Sequence, residues 1–376
     1  MTSEKLFVGT TPGLEGALAE EAEELLGPLG ARVTPVEGGI ELEGPAGLYQ
    51  EANLKLRIAS RVLVRLAAFH ARDEAALERG LSTVSLRPYW DGKRSVQLAV
   101  VAHRSRLSHT GQVRRAAERA WRLPPFKGPS EDALEILLRF TSDHCEVSVD
   151  SSGELLHRRG YRQEVSRAPL RETLAAGILR LAGYSGDEPL WDPMCGSGTI
   201  AIEGALIALR RPPGRDRSFA FQRWPSFQPQ AQAWDQRLAQ ARSGERSDLP
   251  QPIWASDLNA GALGTARRNA RRAGILEKLV LERRDAVEIA PPPEVAPGLL
   301  AVNLPYGVRV GEPDGALAQA FLQGVRRGGF QGWRVAIFAP ESWRLSSRES
   351  GLELRQALDN GGIRCGLWVG RVVDGS

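Results

Sequence analysis

One ten-residue segment constrains the fold of this chain more than any other: residues 191–200, with the sequence Trp-Asp-Pro-Met-Cys-Gly-Ser-Gly-Thr-Ile. It is typical of a buried strand end, a tight glycine turn and a helix start, where backbone N–H groups can approach a ligand closely. Further along, residues 303–307 (Asn-Leu-Pro-Tyr-Gly) place an amide and an aromatic ring after another apolar run. An amide oxygen accepts a hydrogen bond from an amino group, and an aromatic ring stacks on a flat base. Together the segments predict a nucleotide-like cofactor facing a planar substrate with an exocyclic amine.

The second half of the chain alternates strand-like and helix-like segments, which indicates a parallel α/β sheet with crossover helices. A β-hairpin over 354–358 and 363–369 follows, joined by the turn at 359–362. Five parallel strands that end in a hairpin are typical of a Rossmann-like methyltransferase fold, whereas a plain dinucleotide-binding fold has no reason to end this way. The five predicted strands span 189–192, 252–257, 279–283, 299–303 and 333–339.

The first half of the chain predicts two smaller α+β modules, over 1–67 and 68–155, and an arginine-rich linker over 156–168 leads to the domain at 169–376. In the first module we expect strands at 6–8, 40–43 and 61–67 and a helix that ends near Leu26. In the second we expect strands at 95–102 and 145–149 and helices at 74–81, 111–120 and 131–140.

The composition excludes several classes of protein. With 42% apolar and 25% charged residues the chain is an ordinary globular protein. It has no apolar run long enough for a transmembrane helix and no secretion signal at its start, so we expect a cytoplasmic protein without a membrane partner. Cys145, Cys195 and Cys365 are widely spaced, and the five histidines lack metal-ligand spacing, which predicts neither disulfides nor a metal site.

The charge is distributed unevenly, although the net charge is only +4. Residues 101–130 hold seven basic residues against Glu118 alone, which favours a polyanionic partner; a solvated helix face is the alternative interpretation. An insertion over 210–252 mixes arginines with aromatic residues that could form a stacking wall for RNA, although packing of these rings onto their own domain is the expected role. The aromatic residues are Phe219, Phe221, Trp224, Phe227 and Trp234.

Polar side chains end four successive predicted strands: Asp192, Asp257, Asp285 and Asn303. Ligands of open α/β sheets bind at the carboxyl edge, so this set is more specific than the glycine turn alone. Asp257 suits two ribose hydroxyls, and Asp285 suits an adenine amine, with the Ala286 N–H facing the ring. Helix capping is the alternative role for Asp192 or Asp285. Asn303 and the carbonyl of Leu304 could accept both N–H bonds of a target amine, and Tyr306 could stack on the base.

These residues resemble the motifs of THUMP-domain RNA methyltransferases, in particular the guanine-N2 methyltransferases of tRNA and of bacterial large-subunit rRNA. The resemblance extends over nearly the whole chain, through 11–15, 105–110, 157–162, 168–174 and 219–224. Many members have Pro where this chain has Leu304, which disfavours an adenine-N6 target more than a guanine-N2 target.

The resemblance implies ferredoxin-like and THUMP domains at the N-terminus and a methyltransferase domain that uses S-adenosyl-L-methionine. It implies RNA as the partner, tRNA in preference to rRNA, and a monomer without a metal. The implied catalytic residues are Asn303, Leu304, Pro305 and Tyr306. The implied cofactor-binding residues are Thr173, Asp192, Pro193, Cys195, Gly196, Ser197, Gly198, Thr199, Asp257, Leu258, Asp285, Ala286 and Asn303. The expected RNA-binding residues are Arg104, Arg106, His109, Arg114, Arg115, Arg158, Arg159 and Arg162.

Three other hypotheses compete with this interpretation. The chain could be an RNA-binding protein with an inactive enzyme fold, against which the intact Asp192, Asp257 and Asn303 argue. It could be a dehydrogenase built on the glycine turn, which the terminal hairpin and Tyr306 disfavour. It could also direct the same chemistry at an adenine in DNA or RNA.

Overall fold

The computed structural model describes residues 3–124, 130, 132–163, 170–306, 315–345 and 351–372. The chain divides into two compact units. The first unit comprises Met1–Thr10, Ala19–Leu156 and Arg217–Ala239, and the second comprises Thr11–Leu18, His157–Asp216 and Gln240–Ser376.

The first unit is built on one seven-stranded sheet with the order β2-β3-β1-β4-β7-β6-β5. All neighbours are antiparallel except β5 and β6, which are parallel. The predicted modules 1–67 and 68–155 therefore share a sheet, because β4 pairs with β7. The strands are β1 (Glu4–Gly9), β2 (Arg32–Val36), β3 (Gly39–Gly44), β4 (Arg61–His70), β5 (Val96–His103), β6 (Leu134–Thr141) and β7 (His144–Asp150). The helices of this part of the chain are α1 (Glu15–Leu26), α2 (Leu48–Lys55), α3 (Glu74–Ser82) and α4 (Thr110–Trp121).

The helix predicted over 131–140 is wrong, because Leu134–Thr141 is strand β6. Leu134, Ile136, Leu138 and Phe140 are buried in strict alternation with less buried residues, the period of a strand with one face in the core. The sequence also gave no signal for β2 or α2. The predicted strands at 95–102 and 145–149 and the helices at 74–81 and 111–120 are confirmed within one or two residues.

The aromatic residues of the insertion pack inside the first unit. Phe221 and Trp224 are 0% and 1% exposed, and both rings lie 5.2 Å from the ring of Tyr49. Trp224 also meets Tyr89 edge-on at 4.8 Å. Buried rings cannot stack on RNA, so the stacking-wall alternative is wrong. Packing was expected, but these rings pack in the first unit and not in the domain predicted for 169–376.

The second unit contains a seven-stranded sheet with the order β10-β9-β8-β11-β12-β14-β13. The first five of these strands are parallel, and β14 and β13 form an antiparallel hairpin, which confirms the predicted fold class. Its core contains Trp191, Phe321, Phe330, Trp333 and Trp368. The strands are β8 (Leu190–Asp192), β9 (Ile253–Ser256), β10 (Val280–Glu282), β11 (Leu299–Asn303), β12 (Arg334–Pro340), β13 (Leu352–Asn360) and β14 (Ile363–Arg371).

Helices flank this sheet: α5 (Glu172–Leu181), α6 (Thr199–Ala208), α8 (Ala260–Arg272) and α9 (Ala316–Arg327). The helix α7 (Ala231–Ser243) lies within the inserted segment 210–252. Within the described residues, no helix is both long and apolar enough to cross a membrane.

Candidate active site

The four predicted strand-end residues lie at the carboxyl edge of adjacent strands. Asp192 ends β8 and Asn303 ends β11, Asp257 directly follows β9, and Asp285 follows β10. Because β10, β9, β8 and β11 are consecutive parallel neighbours in the sheet, their ends meet at one edge. The second unit therefore places these four residues at one edge of its sheet, the edge that the sequence predicted for a ligand.

The glycine turn links two of these strands. Gly196 and Gly198 have positive φ angles of 53° and 83°, a backbone conformation that residues other than glycine rarely adopt. The backbone N–H of Cys195 donates to the carbonyl of Ser256 over 2.9 Å, and the N–H of Gly196 donates to Asp257 Oδ2 over 2.8 Å. Gly198 caps α6, so the turn leads into a helix N-terminus beside an acidic strand end.

A residue that the sequence analysis missed supports this turn. Asn269 on α8 is fully buried, and its Nδ2 donates to the carbonyl of Ser197 over 3.0 Å. The Ser197 hydroxyl lies 3.2 Å from that of Thr199. A single asparagine in a helix carries no local signal for such a contact, because the contact joins residues that are distant in the sequence.

Three buried oxygen atoms at predicted site positions have no hydrogen-bond partner in the described part of the chain: Thr173 Oγ1, Asp192 Oδ1 and Asn303 Oδ1. A buried polar atom without a partner costs about 1–3 kcal/mol, so such atoms need an explanation. S-adenosylmethionine carries an ammonium group, two ribose hydroxyls and an adenine amine, all of which donate hydrogen bonds. The acceptors of Thr173 and Asp192 and the acidic strand ends therefore fit this cofactor.

Burial controls the electrostatics of the turn. The pKa of Asp192 is raised well above its usual value, first by burial and then by the nearby charge of Asp257, against N–H donation from Met194 and Ala201. The pKa of the Cys195 thiol is also raised, chiefly by burial and then by Asp192. Burial and the raised pKa of Cys195 favour a packing role over a nucleophilic one, and Pro193, two residues earlier, is also buried.

The two other carboxylates are partly exposed. Asp257 Oδ1 accepts from the N–H of Asn259 over 2.8 Å, and the next side chain, Leu258, is 58% exposed. Asp285 Oδ1 accepts from the N–H of Val287 over 3.0 Å, which is the capping contact expected of a turn. Ala286 beside it is buried. Both carboxylates keep lone pairs for a ligand, because each oxygen accepts two hydrogen bonds.

The segment 303–306 leaves β11 at the same edge. The N–H of Leu304 donates to the carbonyl of Phe338 over 3.0 Å, which fixes the backbone after Asn303, and Pro305 is exposed. The Tyr306 hydroxyl accepts a hydrogen bond from the amide of Asn360 and lies 3.6 Å from the thiol of Cys365. Gly307 lies outside the described residues.

The terminal hairpin thus holds the tyrosine of the predicted catalytic motif. Asn360 ends β13 and Cys365 belongs to β14. The hairpin is predictable from the sequence, whereas the roles of Asn360 and Cys365 are not, because their contact with Tyr306 depends on the tertiary fold.

The predicted RNA-binding residues divide into two groups. In the first unit Arg104, Arg106, His109 and Arg115 are exposed and Arg114 is half-buried. Two of their charges are partly offset: Arg106 lies 4.0 Å from a carboxylate oxygen of Asp143, and Arg115 lies 3.5 Å from one of Glu74.

In the second unit Arg158 is exposed, as an RNA-binding residue should be. Arg159 and Arg162, which were predicted to bind RNA, have largely buried side chains instead. The Arg159 side chain is 4% exposed and its Nε lies 3.6 Å from Glu203 Oε1. The Arg162 side chain is 11% exposed and lies 2.8 Å from Glu172. Guanidinium groups held inside the protein against buried carboxylates are not available at the surface for a phosphate group.

Family models match two parts of the chain: the RMKL-like methyltransferase domain (UPF0020) over residues 159–359 and the RlmL ferredoxin-like domain over residues 5–63. The second match confirms the predicted ferredoxin-like start.

Among curated proteins, one from Synechocystis sp. named as an RNA methyltransferase, slr0064, is 32% identical over 97% of this chain and 96% of its own length. The ribosomal RNA large subunit methyltransferase K/L of Psychromonas ingrahamii is 31% identical over 96% of this chain, which spans only 49% of that relative.

The solved structure of SMU.472 in complex with S-adenosylhomocysteine (SAH) covers 100% of both chains, with a TM-score of 0.83 and 24% identity. At that identity the likeness supports the fold. The family model, which matches more than half of the chain, and the relative that is 32% identical lead to one conclusion: the chain belongs to the RMKL-like methyltransferase family.

Proposed function

We propose that this chain transfers a methyl group from S-adenosylmethionine to the exocyclic N2 amine of a guanosine in RNA. The observation that carries the proposal is the buried Oδ1 of Asn303 at the end of β11, which has no hydrogen-bond partner among the described residues. The exposed Pro305 follows two residues later, and Tyr306, anchored by Asn360, follows three residues later. An amide acceptor of this kind suits an amine that donates two hydrogen bonds.

The residues would act chiefly by alignment. When bound, S-adenosylmethionine supplies an electrophilic methyl group on a sulfonium centre. Asn303 Oδ1 and the Leu304 carbonyl accept the two N–H bonds of the target amine and direct its lone pair toward that methyl group. Neither oxygen is a strong base, and the nitrogen loses its proton to solvent after transfer. Tyr306, held at its hydroxyl by Asn360, supports the face of the base.

The substrate class rests on the named relatives. Both are RNA methyltransferases by name, and one of the names specifies large-subunit ribosomal RNA. We therefore place large-subunit rRNA first and tRNA, which the sequence analysis preferred, second. The assignment of 68–155 as a THUMP domain that holds the RNA, the monomeric state and the cytoplasmic location stay predictions.

The test is methyl transfer from labelled S-adenosylmethionine to separate pools of unmodified large-subunit rRNA, tRNA and duplex DNA, followed by nucleoside mass spectrometry. We expect N2-methylguanosine in the rRNA pool and none with Asn303→Ala. N2-methylguanosine in tRNA alone would keep the chemistry and change the substrate, whereas N6-methyladenine would overturn the base assignment. No product in any pool, with SAH binding intact, would favour an inactive RNA-binding protein.

A further inference from the structure

A strongly basic helix face lies on the second unit and contains none of the arginines predicted from the sequence to bind RNA. The helix α8 contains no acidic residue, and its buried side consists of Leu263, Ala266, Asn269 and Ala270. All four of its arginines are exposed: Arg267, Arg268, Arg271 and Arg272.

The basic face continues onto the segment after β10, the edge strand of the sheet. Arg283 and Arg284 are both exposed. Arg283 Nε donates to the carbonyl of Leu258 over 2.9 Å, and the Arg284 guanidinium lies 5.7 Å from the centre of the Trp191 ring. Leu258 follows Asp257 in the chain and Trp191 precedes Asp192, so the basic face borders the candidate active site.

Neighbouring carboxylates distinguish this face from the basic helix of the first unit. On α4, Arg119 contacts Glu74 at 2.6 Å and Glu78 at 2.7 Å. On the basic face of the second unit, Arg284 lies 2.5 Å from a carboxylate oxygen of Glu282. Within the described parts of the chain, however, no carboxylate oxygen lies within 4.0 Å of Arg267, Arg271 or Arg283, and Arg267 donates to the carbonyl of Leu281 over 3.1 Å. A cation without a nearby anion keeps its full attraction for an external polyanion.

Helix stability does not account for this arrangement. Arg271 and Arg272 lie in the last turn of α8, where cations interact favourably with the helix dipole. Arg267 lies a full turn earlier, where that effect has faded. The planar guanidinium offers paired donors to a phosphate group, which makes arginine the preferred residue for phosphate recognition.

We propose that the α8 face, defined as Arg267, Arg268, Arg271, Arg272, Arg283 and Arg284, binds the phosphate backbone of the substrate RNA next to the target nucleotide. This inference rests on the proposed function for its partner, an RNA strand. It assigns RNA contacts to the same unit that holds the methyl-transfer site.

The test compares two matched double variants. Arg267→Gln/Arg271→Gln removes two charges from the α8 face. Arg326→Gln/Arg327→Gln removes two exposed arginines from the end of α9 in the same unit. For each protein, the Kd for a transcript of large-subunit rRNA is measured between about 50 and 200 mM salt, a range in which phosphate contacts dominate the change in affinity.

We expect the α8 variant to lower the slope of log Kd against log salt concentration by about 1.5, because each lost phosphate contact removes about 0.7–0.9. The α9 variant should keep the wild-type slope, and Arg267→Lys/Arg271→Lys should largely restore it, since lysine keeps the charge. SAH binding, measured by calorimetry, should be unchanged in all three variants.

An unchanged slope in the α8 glutamine variant would overturn the proposed face and leave the proposed function standing. If the slope fell as much in Arg267→Lys/Arg271→Lys as in the glutamine variant, the proposed face would also be overturned, because the loss would then not be caused by the removed charge. Failure to find N2-methylguanosine would overturn the proposed base specificity, while the salt slopes would still decide the RNA-binding face.

Discussion

The backbone N–H of Gly196 donates a hydrogen bond to Asp257 Oδ2 over 2.8 Å, although 61 positions separate the two residues. The other oxygen of Asp257 accepts from the N–H of Asn259 over 2.8 Å. Two backbone donors thus fix the Asp257 carboxylate at the end of β9. The bond from Gly196 also fixes the glycine turn after β8. A ligand that meets both groups finds them already positioned, which lowers the entropic cost of binding.

We expect Asp257→Ala to weaken SAH binding by tenfold or more, because hydrogen bonds to a charged group contribute about 1.5–3 kcal/mol. Calorimetric titration with SAH measures the effect. Asp248→Ala is the matched control, since Asp248 precedes the same strand, is 81% exposed at its side chain and contacts Lys278. Wild-type affinity in Asp257→Ala would show that the ribose assignment is wrong.

We expect Asn303→Ala to abolish methyl transfer, with a loss of at least about a hundredfold in kcat, because the variant cannot align the target amine. SAH binding should stay nearly intact. Single-turnover transfer of labelled methyl groups separates the two effects. A fully active Asn303→Ala protein would contradict the catalytic assignment.

Substitution of Tyr306 separates the ring from its hydroxyl. Tyr306→Phe keeps the stacking surface but loses the contact with Asn360, so we expect a modest loss of activity. Tyr306→Ala removes the ring and should cost about 1–3 kcal/mol in kcat/KM for RNA, the range measured for base stacking on aromatic residues. Equal activity of the two variants would argue against stacking.

Stability should fall as the pH rises through the range in which Glu172 titrates. Burial, against the attraction of Arg162, raises the pKa of Glu172 from 4.5 to about 7. Between pH 4.5 and about 7 the Glu172 carboxyl is ionised in the unfolded chain but still protonated in the folded protein. The contribution of Glu172 to stability is therefore complete below pH 4.5 and is lost as the pH rises toward 7. The loss is at most about 3 kcal/mol. Denaturant unfolding at pH 5 and pH 8 should show a smaller difference in Glu172→Gln than in the wild type.

Two helical glycines should respond to alanine in opposite directions. A Cβ at Gly324 on α9 would lie 2.4 Å from the backbone oxygen of Val287, so Gly324→Ala should destabilise the protein by a few kcal/mol. At Gly264 on α8 the nearest atom would be the end of Arg268 at 3.5 Å. Gly264→Ala should therefore stabilise the protein by about 0.5–1 kcal/mol. Thermal unfolding measures both, and shifts of the same sign would contradict the packing.

The sheet of the second unit could be predicted because parallel strands covered on both faces are continuous apolar runs, as Leu299–Asn303 shows. Strand β6 could not be predicted. Ala133, Leu134, Leu137 and Leu138 have the spacing of a helix face, and only the pairing with β5 and β7 makes the alternating set the buried one. Local periodicity cannot distinguish two patterns that the same residues satisfy.

The strand-end residues of the candidate site could be predicted because each follows a recognisable strand. Asn269, Asn360 and Cys365 could not, since each acts on the site through a contact between distant parts of the chain. The misassigned Arg159 and Arg162 share that cause. A run of arginines is typical of a protein surface. The carboxylates that pair with these two arginines inside the protein, those of Glu203 and Glu172, come later in the sequence.

The inserted segment has a consequence for protein synthesis. The first unit includes Arg217–Ala239, whose Phe221 and Trp224 cover Tyr49. When the ribosome has added Leu156, Phe221 and Trp224 have not yet been synthesised. At about 5–20 residues per second, synthesis reaches Ala239, the end of the missing segment, roughly 4–17 s later. The N-terminal half must therefore wait, incomplete, while part of the second unit is translated. Until that segment emerges, Tyr49 lacks the aromatic partners that cover it in the finished protein.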